Sequence, residues 1–307
     1  MRKNAIAIGK RYIEGCYNFI MAAGELYVTD SDINAIYLAG EIDVHNSAVH
    51  KLRGAGEVKA NHVSWGNVKV AGNISLHGIC KGDVIVVIGD LSAEFLECRI
   101  LRNGPANKKK ARGGIPVQTA NQKADAVNAA AHYDYSNKGL QWRGILKAET
   151  FENFFAMDLS SCDYEFKNII SSALLAYDNE IVCENFYSFG GLRCQSINAE
   201  NITLVLNDAI SVKSIMGSNI RILKSFQQDK LFKSIPKSAG YKNFTSNAGI
   251  VSIESIEGDR INIEYTRAQL VSGIDVEIGD LCVIDRVEYK NSVEISEKAV
   301  IEQVVRL

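Results

Sequence analysis

Proline is almost absent from this chain of 307 residues: only Pro105, Pro116 and Pro236 occur. A proline cannot donate a ladder hydrogen bond, so its scarcity is compatible with a body built from strands, and the three positions mark places where regular structure is interrupted. Charge of one sign is also missing. Thirty-four basic residues against thirty-six acidic ones leave a formal charge of −2, which supplies no field for nucleic acid. No apolar run approaches the ~18 residues of a membrane span. At the N-terminus, Lys10, Arg11 and Glu14 interrupt the apolar stretch before it reaches the length of a signal peptide. The expected location is therefore the cytoplasm, with membrane association at most peripheral.

Paired cysteines are lacking too. Cys16, Cys80, Cys98, Cys162, Cys183, Cys194 and Cys282 are odd in number, and no two lie within three residues of each other. Disulfide frameworks and zinc knuckles show paired spacing, so these cysteines read as small apolar thiols of a reduced compartment. The chain carries no P-loop, no dinucleotide-binding glycine fingerprint and no GxSxG elbow. Hydrophobic residues nonetheless make up 47% of the chain, enough to bury a sizeable core.

What is present is a repeat. GELYV, GEIDV, GEVKA and GNISL begin at Gly24, Gly40, Gly56 and Gly72, sixteen residues apart each time. Two and four residues after each glycine stand Leu26 and Val28, Ile42 and Val44, Val58 and Ala60, and Ile74 and Leu76. Positions twelve and fourteen give Ile36 and Leu38, Leu52 and Gly54, Val68 and Val70, and Val84 and Val86; Ile20 and Ala22 extend that series upstream. Fifteen of the sixteen positions from Leu26 to Val86 are apolar, Gly54 being the lapse. A spacing of two places side chains on one face of a strand, and a spacing of sixteen returns the chain to the same place. The fold class predicted is all-β, a β-solenoid of coils of about sixteen to eighteen residues, with aliphatic columns inside and glycines at the corners. Val68, Val70, Val84 and Val86 are expected inside, with Lys69 and Ile85 pointing away.

Later spacings are wider. Leu192 and Cys194 match Ile210 and Val212 at eighteen, as Ile202 and Leu204 match Ile220 and Ile222; Val276 and Ile278 match Val293 and Ile295 at seventeen. Two stretches lose the alternation, 103–141 and 225–248. The expected organisation is a solenoid over 1–102, a polar insert or linker over 103–141, a second solenoid segment over 142–224, a linker over 225–248 and a third segment over 249–307. The segment FENFF, Phe151 to Phe155, falls outside the simple alternation.

The glycine-punctuated coils at 24–88 resemble the bactofilins, the polymer-forming cytoskeletal proteins. Residues 197–223 and 256–307, with the ending VEIGD…VEYK, are similar to the longer cytosolic bactofilin-like proteins of Gram-positive bacteria. The resemblance implies a right-handed β-solenoid that assembles without nucleotide, usually end to end, in envelope- or motility-related processes. Expected partners are other copies of the chain, further bactofilin-like proteins or envelope-associated proteins, and not nucleic acid.

No catalytic set, cofactor site or metal site emerges from the residues. His45, His50, His62 and His77 lie one coil apart in places, which permits a metal site, but they flank the apolar columns and read as surface residues. VEIGDLCVI, Val276 to Ile284, is a single hexapeptide-like stretch without the consecutive repeats or nearby histidine of an acyltransferase. Lys108, Lys109, Lys110 and Arg112 form a basic run, read as a solvated loop tip, with weak contact to an anionic surface as the functional alternative. The C-terminal VIEQVVRL places Val304, Val305 and Leu307 at an open solenoid end, a template for another chain. The function expected is a non-enzymatic scaffold that self-associates through solenoid ends, with little dependence on salt. The alternative is a non-polymerising binding module that uses the insert as a recognition loop, and an enzyme ranks a distant third.

Overall fold

The computed structural model describes residues 2–104, 140–226, 244–245 and 249–307. Among them the protein is all-β, and apart from one short antiparallel pair the strands pair in parallel as a β-solenoid. Two compact units divide the described chain, one of residues 2–104 and 140–167, the other from residue 168 onward. Residues 105–139 of the insert expected over 103–141, with Lys108, Lys109, Lys110 and Arg112, and most of the 225–248 stretch lie outside the described residues.

The first unit contains β1 (Lys3–His45), β2 (Ala48–Asn61), β3 (Ser64–Ala71), β4 (Ile74–Ile88), β5 (Leu91–Asn103), β6 (Leu140–Asn153) and β7 (Met157–Asp158). The next strand, β8 (Cys162–Ser171), runs across the division. β1 extends over 43 residues because single-residue corners turn the chain without ending the strand. Pairing at sixteen is direct: Ile36 lies beside Leu52, and Leu52 beside Val68. All eight residues expected two and four after Gly24, Gly40, Gly56 and Gly72 are buried.

Glycine is required at these corners for two reasons. Gly40, Gly56 and Gly72 have φ between 134° and 143°, a region closed to most side chains. They also stack: a Cβ on Gly56 would lie 1.7 Å from the carbonyl oxygen of Gly40. The Gly54 lapse has a similar cause, since a Cβ there would meet the Leu38 oxygen at 2.1 Å.

A second corner column runs beside the first, and its residue types conceal it. Asp30, Asn46 and His62 are sixteen apart and all have positive φ, continued at Gly78. Asp and Asn tolerate this conformation better than other side chains. A serine ladder locks the corner: Ser31 Oγ accepts from Gly15 N at 3.0 Å, and Ser47 Oγ accepts from Ser31 N at 3.0 Å.

One inward assignment is corrected. Val68 pairs with Ile85 and Val70 with Val87, a spacing of seventeen. Ile85 and Val87 are therefore the inward residues and Val84 is half-buried, while Val86 is buried as expected but on the outer side of the strand. The extra residue enters at the Gly78 corner. His77 still pairs with Asn61 at sixteen, whereas Lys81 pairs with Ser64 at seventeen. Ile79 absorbs the excess and is 55% exposed. Val68 and Val70 are buried as expected. Lys69 is half-buried and faces outward in register with Val86 and Arg102.

β5 and β6 pair from Leu91↔Trp142 to Asn103↔Asn153, so Asn103 and Gln141 belong to strands. Phe151 continues the column of Leu101, is fully buried, and stacks on Phe166 with ring centroids 4.8 Å apart. Asn103 and Asn153 occupy the inward column of Val70 and Val87 and bond each other at 2.7 Å. Asn103 also accepts from the backbone N–H of Phe154 and Phe155, satisfying a chain that has left the ladder. On the outer face, Arg102 and Glu152 form a buried ion pair.

The second unit contains β9 (Leu175–Ala176), β10 (Glu180–Ser188), β11 (Leu192–Arg193), β12 (Ser196–Val205), β13 (Ile210–Ser211) and β14 (Ser214–Leu223). A short antiparallel pair follows, β15 (Ser225–Phe226) with β16 (Phe244–Thr245). Then come β17 (Val251–Ile263), β18 (Thr266–Ile278), β19 (Val283–Ile295) and β20 (Val300–Arg306). The expected pairings at eighteen, Ile202↔Ile220 and Leu204↔Ile222, are present, as is Val276↔Val293 at seventeen. Widening is not uniform, because β10 meets β12 at sixteen and β17 meets β18 at fifteen. Each change of period is taken up at a corner while the columns stay in line.

Candidate functional site: the solenoid ends

β20 ends the second unit. It pairs with β19 through Ile284↔Ile301 and Val287↔Val304, and no described strand pairs with its other edge. One layer below, Val276, Ile278, Ile284 and Val287 are at most 3% exposed. In the last layer, Ile295 is 42% and Val304 is 45% exposed, although both continue the same columns. Exposed Val300 and Leu307 lie beside them. The core is thus cut across and shows an apolar layer rimmed by unpaired strand N–H and C=O groups.

The three residues expected at this end differ in placement. Val304 is an inward position of the terminal layer. Val305 follows Glu288 on the outer side and is half-buried. Leu307 is exposed and its N–H donates to the Tyr289 carbonyl at 2.8 Å. One neighbouring charge has a partner: Asp280 is held below the usual carboxylate range by the Lys298 ammonium and the Ser296 hydroxyl.

The first coil of the other unit is built differently. Gly9 stacks on Gly24, and Tyr12 stacks on Tyr27 with centroids 4.8 Å apart, so the offset is fifteen. That offset puts exposed Arg11 in the layer above Leu26, a charge over the core column. An inward-pointing charge is a common protection of a sheet end. Ile6, Ile8, Tyr12 and Met21 of this N-terminal stretch are exposed as well.

The histidines have separate partners. His45 lies 2.9 Å from Asp43, His50 3.1 Å from Asp32 and His77 3.3 Å from Glu94, while the His62 ring bonds the Asn61 amide. Carboxylates therefore accompany three of them, which the sequence reading did not foresee. Among the described residues, no three metal-ligating side chains converge. Also among the described residues, no helix is long and apolar enough to cross a membrane. The reading of these histidines as surface residues agrees with their exposure.

No family model, curated protein or solved structure matches this chain. The resemblance to bactofilins accordingly rests on the residues quoted for it.

Proposed function

We propose that the protein is a non-enzymatic cytoplasmic scaffold of the bactofilin type that self-associates through its solenoid ends, with the β19–β20 end as the main contact. The observation that carries this reading is the jump in exposure along single columns, from buried Ile278 and Val287 to open Ile295 and Val304. Covering an apolar layer removes it from water at about 25 cal/mol per Å², and pairing the β20 edge satisfies its backbone groups. Another copy of the same chain offers both strand edge and aliphatic columns. The driving forces are apolar contact and strand pairing, so assembly depends little on salt.

Light scattering and electron microscopy of the purified protein test this without added nucleotide. The expected result is concentration-dependent association that Val304→Lys suppresses while the melting temperature stays near that of the parent. A parent protein that remains monomeric at high concentration overturns the reading.

A further inference from the structure

The second unit carries, on the outer face of its sheet, a groove of about 640 Å³ that end-to-end assembly does not use. Register aligns Asn185, Asn201, Asn219, Arg260, Asp275 and Ser292 in one column along its floor. A parallel column contributes Tyr187, Arg221 and Glu277. The buried Ile202, Ile220 and Ile261 between the columns hold the face rigid from behind.

The asparagines form a ladder. Asn185 Nδ2 donates to Asn168 Oδ1 at 2.7 Å, Asn201 to Asn185 at 2.9 Å and Asn219 to Asn201 at 2.9 Å. Each amide has two hydrogens and the ladder uses one. A second N–H per coil is therefore left, repeated at roughly 4.8 Å along the groove and already oriented.

Past the ladder come two guanidinium groups, Arg221 and Arg260, on adjacent coils. Neither makes an ion pair among the described residues. Of the three carboxylates beyond them, Asp275, Glu277 and Glu294, the first two accept hydrogen bonds from neutral groups. Asp275 Oδ1 accepts from Asn291 and from Ser292, both at 2.6 Å, and Glu277 accepts from the Asn262 amide. The groove thus runs from neutral donors to two guanidinium groups without a direct ion pair, and acids close its far side, where the Asp275 carboxylate interacts with the Arg260 charge from the adjacent coil.

The ligand that fits has many hydroxyls and a negative group. Guanidinium forks bind carboxylates bidentately, and amides suit hydroxyls because both groups donate and accept. A peptide strand fits less well: it gains affinity by pairing with a sheet edge, and here the strand backbones are paired on both sides by neighbouring coils. We infer that this groove binds an acidic oligosaccharide, with a uronate carboxylate held by Arg221 and Arg260 and sugar hydroxyls along the asparagine ladder.

Isothermal titration of the full-length protein with galacturonate and guluronate hexamers tests the inference, with maltohexaose and hexaglutamate for comparison. At least one uronate hexamer is expected to bind, and maltohexaose at least about tenfold more weakly. The double variant Arg221→Gln/Arg260→Gln, confirmed as folded by its melting curve, is expected to lose the preference for the acidic sugar. Asn201→Ala is expected to weaken the acidic hexamer severalfold. Failure of both uronate hexamers to bind at millimolar concentration overturns the inference. So does equal binding by the folded double variant, or hexaglutamate binding as tightly as the sugars. The comparison of acidic with neutral hexamers needs no variant, and assembly state is read separately by light scattering.

Discussion

At the scale of single residues, burial decides what the cysteines can do. Burial in apolar surroundings pushes the Cys98, Cys162 and Cys194 thiols up to about 12, and likewise the half-buried Cys183; Cys282 rises to about 11. These groups stay protonated and unreactive at neutral pH, whereas Cys16 is exposed. Alkylation of the native protein followed by mass spectrometry is expected to show one fast thiol, Cys16, and seven after unfolding. The same shifts set a pH dependence. Below about pH 9 each thiol is protonated in both states and contributes nothing. Above that, the unfolded chain releases protons that the folded chain retains, so stability falls by roughly 1 kcal/mol per pH unit for each thiol until the folded group also ionises. Urea midpoints measured from pH 8 to 11 should fall, and fall less steeply in Cys98→Val/Cys194→Val.

At the scale of the element, the coil is a contract between corners and columns. Gly56 has φ +134° and stacks on Gly40, so Gly56→Ala meets strain and collision together. A loss of about 3 kcal/mol or more is expected, against a change near zero for Gly249→Ala, where a Cβ meets nothing within 4 Å. Chemical denaturation of the two variants checks this. The slipped register at Gly78 gives a second test. Val87 is fully buried and Val84 is not. Val87→Asp, like Val70→Asp, should cost several kcal/mol because an unpaired carboxylate enters an aliphatic column, and circular dichroism should show loss of the fold. Val84→Asp should leave the spectrum intact. The reverse order would restore an unbroken period of sixteen.

At the scale of the whole molecule, the ends carry the functional reading. Arg11 sits over the Leu26 column in the first coil, and uncharged Val304 continues the Val287 column in the last. The two ends are therefore unequal as templates. Val304→Lys is expected to reduce assembly strongly, and Val305→Lys less, because Val305 lies on the outer side of β20. Sedimentation of both variants at equal concentration separates them. Removing Arg11 should have the opposite effect: Arg11→Leu should increase association by uncovering an apolar column.

The solenoid, its period near sixteen and most of its inward residues were determined by local rules alone. Alternation at two and recurrence at sixteen leave one way to bury Leu26, Ile42, Val58 and Ile74 together. Corners were legible only where glycine marked them. The column of Asp30, Asn46 and His62 shows a shared backbone conformation through three different side chains, so a search for identical residues passes over it. The slip at Ile79 was equally hidden. Val84, Ile85, Val86 and Val87 are all β-branched, and an unbroken apolar run carries no phase; pairing with Val68 and Val70 decided it. Tertiary structure alone placed Asn103 in the core beside Asn153, where β6 resumes the ladder of β5. It also assembled the groove, because Asn219 and Arg260 become neighbours only when β14 pairs with β17 across forty-one residues of sequence. A sequence displays contacts that recur at a fixed spacing, and contacts brought together across an interruption depend on where the returning strand finds its partner.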